Sequence, residues 1–338
     1  VSKRPDAIAV YGAGSWGTAL ALQLARNGLT VWLWGNDPEH IITLERDRSN
    51  AHYLPGIRFP DNLHCETDLS RMTGRAQHHL VVVPSDGFRD LLGHLEPYLT
   101  PDSALVWATK GLELDSGRLL HEVVEQVLPA IPHYGLVSGP TFAGEVARGL
   151  PTAMTVATTD HDLSRQMAAA FHGHNFRVYT SDDVTGVELG GVVKNVLAIA
   201  AGISDGLGFG ANARAAIITR GLAEIMRLGL QLDARAETLM GLAGVGDLVL
   251  TCTDNQSRNR RLGLALGQGK SLEQARTDIG QAVEGIKSAA AVSKLAARVG
   301  VEMPICDIVR RILYQGLPPA QAVSELIARD PKAEFEIP

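Results

Sequence analysis

The chain reads as an α/β protein, an N-terminal Rossmann-type doubly wound sheet followed by an all-α C-terminal domain. Three observations predict this. Up to about residue 150, short apolar runs alternate with longer amphipathic ones, as in a parallel sheet covered by helices. A glycine-rich turn, Gly12-Ala13-Gly14-Ser15-Trp16-Gly17, joins the first apolar run to the first helical one. Beyond Asp183 the texture changes to long Ala/Gly/Leu-rich stretches with no strand of comparable quality.

Taken in order, residues 7–11, 29–34, 79–83, 105–108 and 135–137 read as strands. Residues 15–27 read as the first crossover helix, ended by Gly28, the residue that best accepts a left-handed helix end. A strand pair at 153–157 and 176–179 extends the sheet. Helices are expected at 184–204, 213–229, 236–242, 257–266, 271–279, 285–298, 305–314 and 319–329. The boundary falls at 183, giving a dinucleotide-binding domain, 1–183, and a helical substrate and catalytic domain, 184–338.

Two domains suit a chain of 338 residues, too long for one comfortable core. With 45% hydrophobic and 20% charged residues it reads as an ordinary soluble globular protein. A formal net charge of -6, with no basic block longer than Arg260-Arg261, argues against a nucleic-acid binder. Cys65, Cys252 and Cys306 lie far apart without metal-ligand spacing, so reduced thiols and a cytoplasmic location are expected. The histidines form no HExxH motif, and no dedicated metal site is expected. Lys3-Arg4 before an apolar stretch imitates a signal peptide, but Asp6 and the glycine interruption break it. No transmembrane span is indicated.

The glycine turn follows a predicted strand and opens a predicted helix, the setting in which GxGxxG marks a dinucleotide site. Gly12 permits the tight turn, Gly14 lets the backbone approach a pyrophosphate, and Gly17 allows close helix–strand packing. The helix N-terminus offers free N–H groups and partial positive charge. Its alternative is a plain glycine turn. After the second strand comes Gly35-Asn36-Asp37-Pro38, with no acid directly at the strand end. That leans toward tolerance of a 2′-phosphate, unless Asn36 is only a turn residue.

Lys194 is the odd charge. It sits beside Asn195 in GVELGGVVKNVLAIAAGI, where Glu188 is the only other ionisable residue. Its helical neighbours Val187, Gly190, Gly191, Leu197, Ala198 and Ala201 carry no charge. An ammonium on a helix buried on most sides costs several kcal/mol unless paired or used. The plain alternative is a side chain snorkelling to water, although the small residues on its face leave room for a ligand.

Further polar groups leave strands where open sheets bind ligands: Val83-Pro84-Ser85, Thr109-Lys110-Gly111 and Ser138-Gly139-Pro140-Thr141-Phe142-Ala143. A lysine after a strand is usually solvated surface, but three polar exits from one sheet edge weaken that reading of each. Asp247 stands between glycines and an apolar run, as a helix cap or a functional carboxylate. Ser257 can cap the next helix, while Arg258 and Asn259 occupy its first turn. A cation there opposes the helix dipole, which a bound phosphate would reverse; otherwise Arg258 is a solvated side chain.

Together these segments resemble the bacterial NAD(P)-dependent glycerol-3-phosphate dehydrogenase family. The resemblance runs through GAGSWGTALA at 12–21, NAHYLPG at 50–56, WATKGLE at 107–113, SGPTFAGEVA at 138–147, GGVVKNVLAIAAGISDGLGFGANARAA at 190–216, GDLVLTCT at 246–253, SRNRR at 257–261 and VEG at 283–285. It stops at about Asp330. It implies reversible hydride transfer between NADPH or NADH and dihydroxyacetone phosphate, with Lys194 as the acid/base residue. Lys110 and Asp247 would share that site, and Gly139, Thr141, Ser257, Arg258 and Asn259 would contact the phosphorylated substrate. Gly12, Gly14, Ser15, Trp16, Gly17, Asn36, Lys110, Ala143, Arg258, Val283 and Glu284 would line the cofactor. The family often has His or Arg where this chain has Asn36, so use of both NAD and NADP is expected. The resemblance also implies a homodimer.

Overall fold

The computed structural model describes residues 4–329. The first apolar run forms β1 (Ala7–Tyr11), and seven more strands follow: β2 (Thr30–Trp34), β3 (Leu63–Cys65), β4 (His78–Val81), β5 (Ala104–Trp107), β6 (His133–Ser138), β7 (Thr152–Ala157) and β8 (Phe176–Ser181). They make one sheet of order β3-β2-β1-β4-β5-β6-β7-β8. The first six are mutually parallel, with the order reversing between β1 and β4, the crevice where dinucleotides bind in such sheets. β7 pairs antiparallel with β6 and parallel with β8, so the expected strand pair does extend the sheet, but against its direction. β3, three residues long, was too short to predict.

Seven helices lie among the strands: α1 (Ser15–Arg26), α2 (Pro38–Asp47), α3 (Leu69–Thr73), α4 (Phe88–Leu95), α5 (Leu120–Val127), α6 (Ala143–Arg148) and α7 (His161–Phe171). Past Asn27, Gly28 adopts φ +85° and turns the chain into β2. The strands are apolar toward both faces because α1, α6 and α7 cover one and α4 and α5 the other.

From Val184 onward the described chain is helical: α8 (Val184–Gly206), α9 (Gly210–Leu230), α10 (Ala236–Leu239), α11 (Asp247–Thr253), α12 (Arg258–Gly267), α13 (Leu272–Ile279), α14 (Glu284–Val299), α15 (Pro304–Gln315) and α16 (Pro319–Ile327). α8 is the axis of this half, and the others wrap it into one apolar core. It is long and apolar enough to cross a bilayer, yet its whole apolar window is buried by its own chain. Its glycines explain how. A Cβ on Gly202 would lie 2.1 Å from the Arg260 carbonyl oxygen, and one on Gly263 2.0 Å from that of Ile199. α8 and α12 therefore touch backbone to backbone. The segment missed by periodicity is α11 and the π-helical turn before it, Leu242–Gly246.

Candidate active site

Three strand exits and two helices, α8 and α11, converge on one point. Thr109 Oγ1 donates to the Val83 carbonyl at 2.7 Å, fastening the β5 exit to the β4 exit. That holds Lys110 at the sheet edge, where Nζ donates to the Gly139 carbonyl at 3.1 Å. Thr141 Oγ1 donates to the same oxygen at 3.1 Å, tying the β6 exit together.

From the other side comes α8, with Lys194 only 6% exposed. Its amine does not snorkel. Nζ donates to Asp247 Oδ1 and, at 3.1 Å, to Thr251 Oγ1. Asp247 is 1% exposed and receives Lys110 Nζ on its other oxygen at 2.7 Å. It caps nothing: Gly246 is the N-cap of α11, and the carboxylate is occupied by the two lysines. One buried carboxylate thus clasps two ammonium groups from opposite halves of the chain, which is what permits Lys194 to be buried and Lys110 to be partly so.

The backbone aims this carboxylate. The π turn makes an i→i+5 bond, Gly246 N to Gly241 O at 3.1 Å, and such turns rotate the residues after them relative to an α-helix. α8 reaches it through Gly190, where a Cβ would lie 2.4 Å from the Ala243 carbonyl oxygen. At Gly191 a Cβ would lie 3.0 Å from Ser138 Oγ and 3.6 Å from Lys110 Cγ. For Gly190 and Gly191 the expectation that small residues leave room for a ligand is therefore corrected, because these two serve close approach of α8 to the π turn and to the β6 exit.

Charge balance follows from this packing. Burial pulls the Lys194 amine down to about 8, the Asp247 charge resists, and the like charge of Lys110 adds to the fall. An amine poised there exchanges protons near neutral pH.

Around this centre, Trp16 brings its ring centroid to 5.9 Å from Lys110 Nζ. Ser257 caps α12, its Oγ accepting from the Arg260 N–H at 3.1 Å. Arg258 opens that helix beside Gln281, at 3.4 Å, and near Glu284. Burial lowers the Arg258 pKa and raises that of Glu284, and each charge opposes the other's shift. Asn259 joins Asn195 on α8 to Gly285 at the start of α14. Asn36 stands exposed beyond β2, on the far side of β1 from the lysines. Asp37 is absorbed as the N-cap of α2, accepting from Glu39 and His40 N–H groups.

The β1–α1 glycine turn lies between these two ends of the sheet edge. Gly12 has φ +125°, and a Cβ on it would meet the Val82 oxygen at 2.5 Å; one on Gly17 would meet the Gly12 oxygen at 1.8 Å. At Gly14, by contrast, a Cβ meets nothing within 4 Å, leaving the open approach a pyrophosphate needs above the N-terminus of α1. Trp16 Nε1 and Glu284 Oε2 are buried atoms without a hydrogen-bond partner, polar groups of the kind a bound ligand satisfies. Sequence reasoning assigned no role to Thr251 or Ser138, both inside motifs quoted above. Thr251 was findable at one helical turn from Asp247.

Family models for NAD-dependent glycerol-3-phosphate dehydrogenase match the chain twice, the N-terminal one over residues 7–164 and the C-terminal one over 183–324. The chain belongs to this family. A relative from Thioalkalivibrio sulfidiphilus named glycerol-3-phosphate dehydrogenase [NAD(P)+] is 58% identical, over 97% of this chain and 98% of that protein. One of the same name from Aeromonas salmonicida is 55% identical, with the same coverage of each chain. The crystal structure of glycerol-3-phosphate dehydrogenase from Coxiella burnetii superposes with TM-score 0.93 at 48% identity, covering 97% of this chain and all of that one. A D-mandelate dehydrogenase shares the fold alone, with TM-score 0.64 at 14% identity over 94% of this chain and 99% of that one.

Proposed function

We propose that this member of the family reversibly reduces dihydroxyacetone phosphate to sn-glycerol 3-phosphate with NADPH or NADH, for phospholipid synthesis. The observation that carries the reading is the Lys194–Asp247–Lys110 cluster at the sheet edge, beside a glycine turn open to a pyrophosphate. When bound, the dihydronicotinamide supplies a hydride. Lys194 protonates the carbonyl oxygen as it becomes an alkoxide, and Lys110 lends a second positive charge to that oxygen. Asp247 holds both amines in place. The Gly139–Thr141 exit and the Ser257-Arg258-Asn259 turn receive the phosphorylated substrate, the turn through the Arg258 guanidinium and the backbone of the α12 N-terminus, which favour its phosphate, and not through the Asn259 side chain. Gly14, Ser15 and Trp16 face the pyrophosphate side of the cofactor on a turn that Gly12 and Gly17 fold, Asn36 its adenosine ribose, and Lys110, Ala143, Arg258, Val283 and Glu284 the rest.

We further infer the division into a cofactor domain, 1–183, and a substrate domain, 184–338; the last strand ends at Ser181 and α8 starts at Val184. A cytoplasmic homodimer completes the reading, supported by family membership and by three free cysteines.

The test is the loss of NADPH or NADH absorbance on adding dihydroxyacetone phosphate, compared with 2-keto acids. Turnover of the phosphorylated ketone is expected, and activity with keto acids alone would refute the assignment. Lys194→Ala should lower kcat by about 10²–10⁴-fold while NADH still binds. Near-normal turnover in that variant would remove Lys194 from the chemistry.

A further inference from the structure

Asn259 was expected to contact substrate directly, but its side chain is engaged elsewhere. Its Oδ1 accepts the Gly285 N–H at 2.9 Å, and its Nδ2 donates to Asn195 Oδ1 at 2.9 Å. Both asparagines are buried, at 8% and 6% exposure.

The direction of these bonds follows from one atom. A backbone N–H can only donate, so the Asn259 atom facing Gly285 is its oxygen. Val283, the N-cap of α14, has no side-chain acceptor for that N–H, so Asn259 supplies the cap from another helix. Its nitrogen then faces Asn195, which must answer with oxygen. The Asn195 nitrogen is thereby turned the other way, over the turn of α8 that carries Gly191. Its contact with the Gly191 oxygen there is 3.5 Å, at the very limit of a hydrogen bond. Gly191 is the residue that lies against Ser138 and the Lys110 stem. The amide N–H₂ of Asn195 thus lies over the turn of α8 that packs against the Lys110 stem, held there by one long contact to the Gly191 oxygen.

We propose that Asn259 is a positioning residue, locking the Asn195 amide in the orientation that donates to an oxygen of the substrate. This rests on the assignment of the pocket to dihydroxyacetone phosphate. The lock is anchored one residue after Val283-Glu284, so the segment proposed to hold cofactor also sets the polarity of a substrate contact. Tight packing protects it: a Cβ on Gly285 would lie 2.6 Å from Asn259 Oδ1 and 2.8 Å from the Asn195 carbonyl oxygen.

A double-mutant cycle on kcat/KM for dihydroxyacetone phosphate tests this, using wild type, Asn195→Ala, Asn259→Ala and the double variant. Each single variant should lose about 10–100-fold, as for removal of one preorganised donor, and the double variant should be no worse than Asn195→Ala. NADH affinity should change less than about threefold. Losses that multiply would mean that Asn259 acts on substrate independently of Asn195, and would overturn the proposal. Should Asn259→Ala not fold, Asn259→Asp replaces it in the cycle: it still accepts from Gly285 but sets an acceptor against Asn195 Oδ1. Asn259→Asp with wild-type kcat/KM would equally overturn the lock. Wild-type protein inactive on dihydroxyacetone phosphate would instead overturn the underlying assignment.

Discussion

Lys194 owes its chemistry to where its neighbours' charges fall. Burial removes water from the ammonium, Asp247 restores part of what is lost, and Lys110 takes some of it away again, leaving the amine at about 8. The protonated form is the acid in ketone reduction, so kcat/KM for reduction should fall as pH rises through about 8. The oxidative direction, which needs the free amine, should rise through the same range. Asp247→Asn removes the charge that retains the proton and should move this limb to lower pH, while Lys110→Met should move it higher. A limb that stays put in both variants would show that another group titrates. At this scale the sequence exposed the anomaly, an ammonium in an apolar helix, but not its answer. The partner carboxylate lies 53 residues away, and nothing local to Asp247 distinguishes it from a helix cap.

At the scale of single elements, the β1–α1 turn separates folding from binding. A Cβ on Gly17 collides with the Gly12 carbonyl, whereas one on Gly14 meets open space. Gly14→Ala should keep the wild-type thermal midpoint but bind NADH at least tenfold more weakly. Gly17→Ala should be several kcal/mol less stable, as overpacked sites are. Equal behaviour of the two variants would contradict this division. A second element-level device joins α5 to α8. Glu188, buried at 2% exposure, accepts the Leu120 N–H and pairs with His121 Nδ1 at 2.8 Å. Burial works against the His121 charge, but the Glu188 carboxylate, joined by the charges of Glu122 and Glu125, outweighs it and raises the imidazole pKa. A raised folded pKa contributes stability below the unfolded value of about 6.5, lost as pH climbs through the folded value. His121→Gln should therefore lower the thermal midpoint more at pH 6 than at pH 9, corresponding to about 1–2 kcal/mol at the acid end. An equal deficit at both pH values would rule out an ionic contribution. Of these elements, the glycine turn was legible because its spacing is itself the signal. Glu188 was visible as a charge without a partner, and β7 as a strand without a direction, since direction depends on how the preceding connection is routed.

For the whole molecule, the cluster forms because Lys110, from a sheet exit, reaches Asp247 across 137 residues of chain. Neither half carries the site alone. The homodimer inferred from the family is checked by light scattering, which should give twice the mass of the chain; the mass of one chain would refute it. What the sequence determined by itself is whatever is encoded in neighbours along the chain: the alternating runs, the caps, the glycine fingerprint and the uncharged setting of Lys194. Family motifs in order added the proposed chemistry. Only the tertiary structure decided that α8 is enclosed by its own chain, that its glycines serve backbone contact, that Asp247 clasps two lysines, and that Asn259 faces Asn195. The reason is physical: burial and hydrogen-bond polarity depend on what arrives from distant segments, and residue spacing does not encode that arrival.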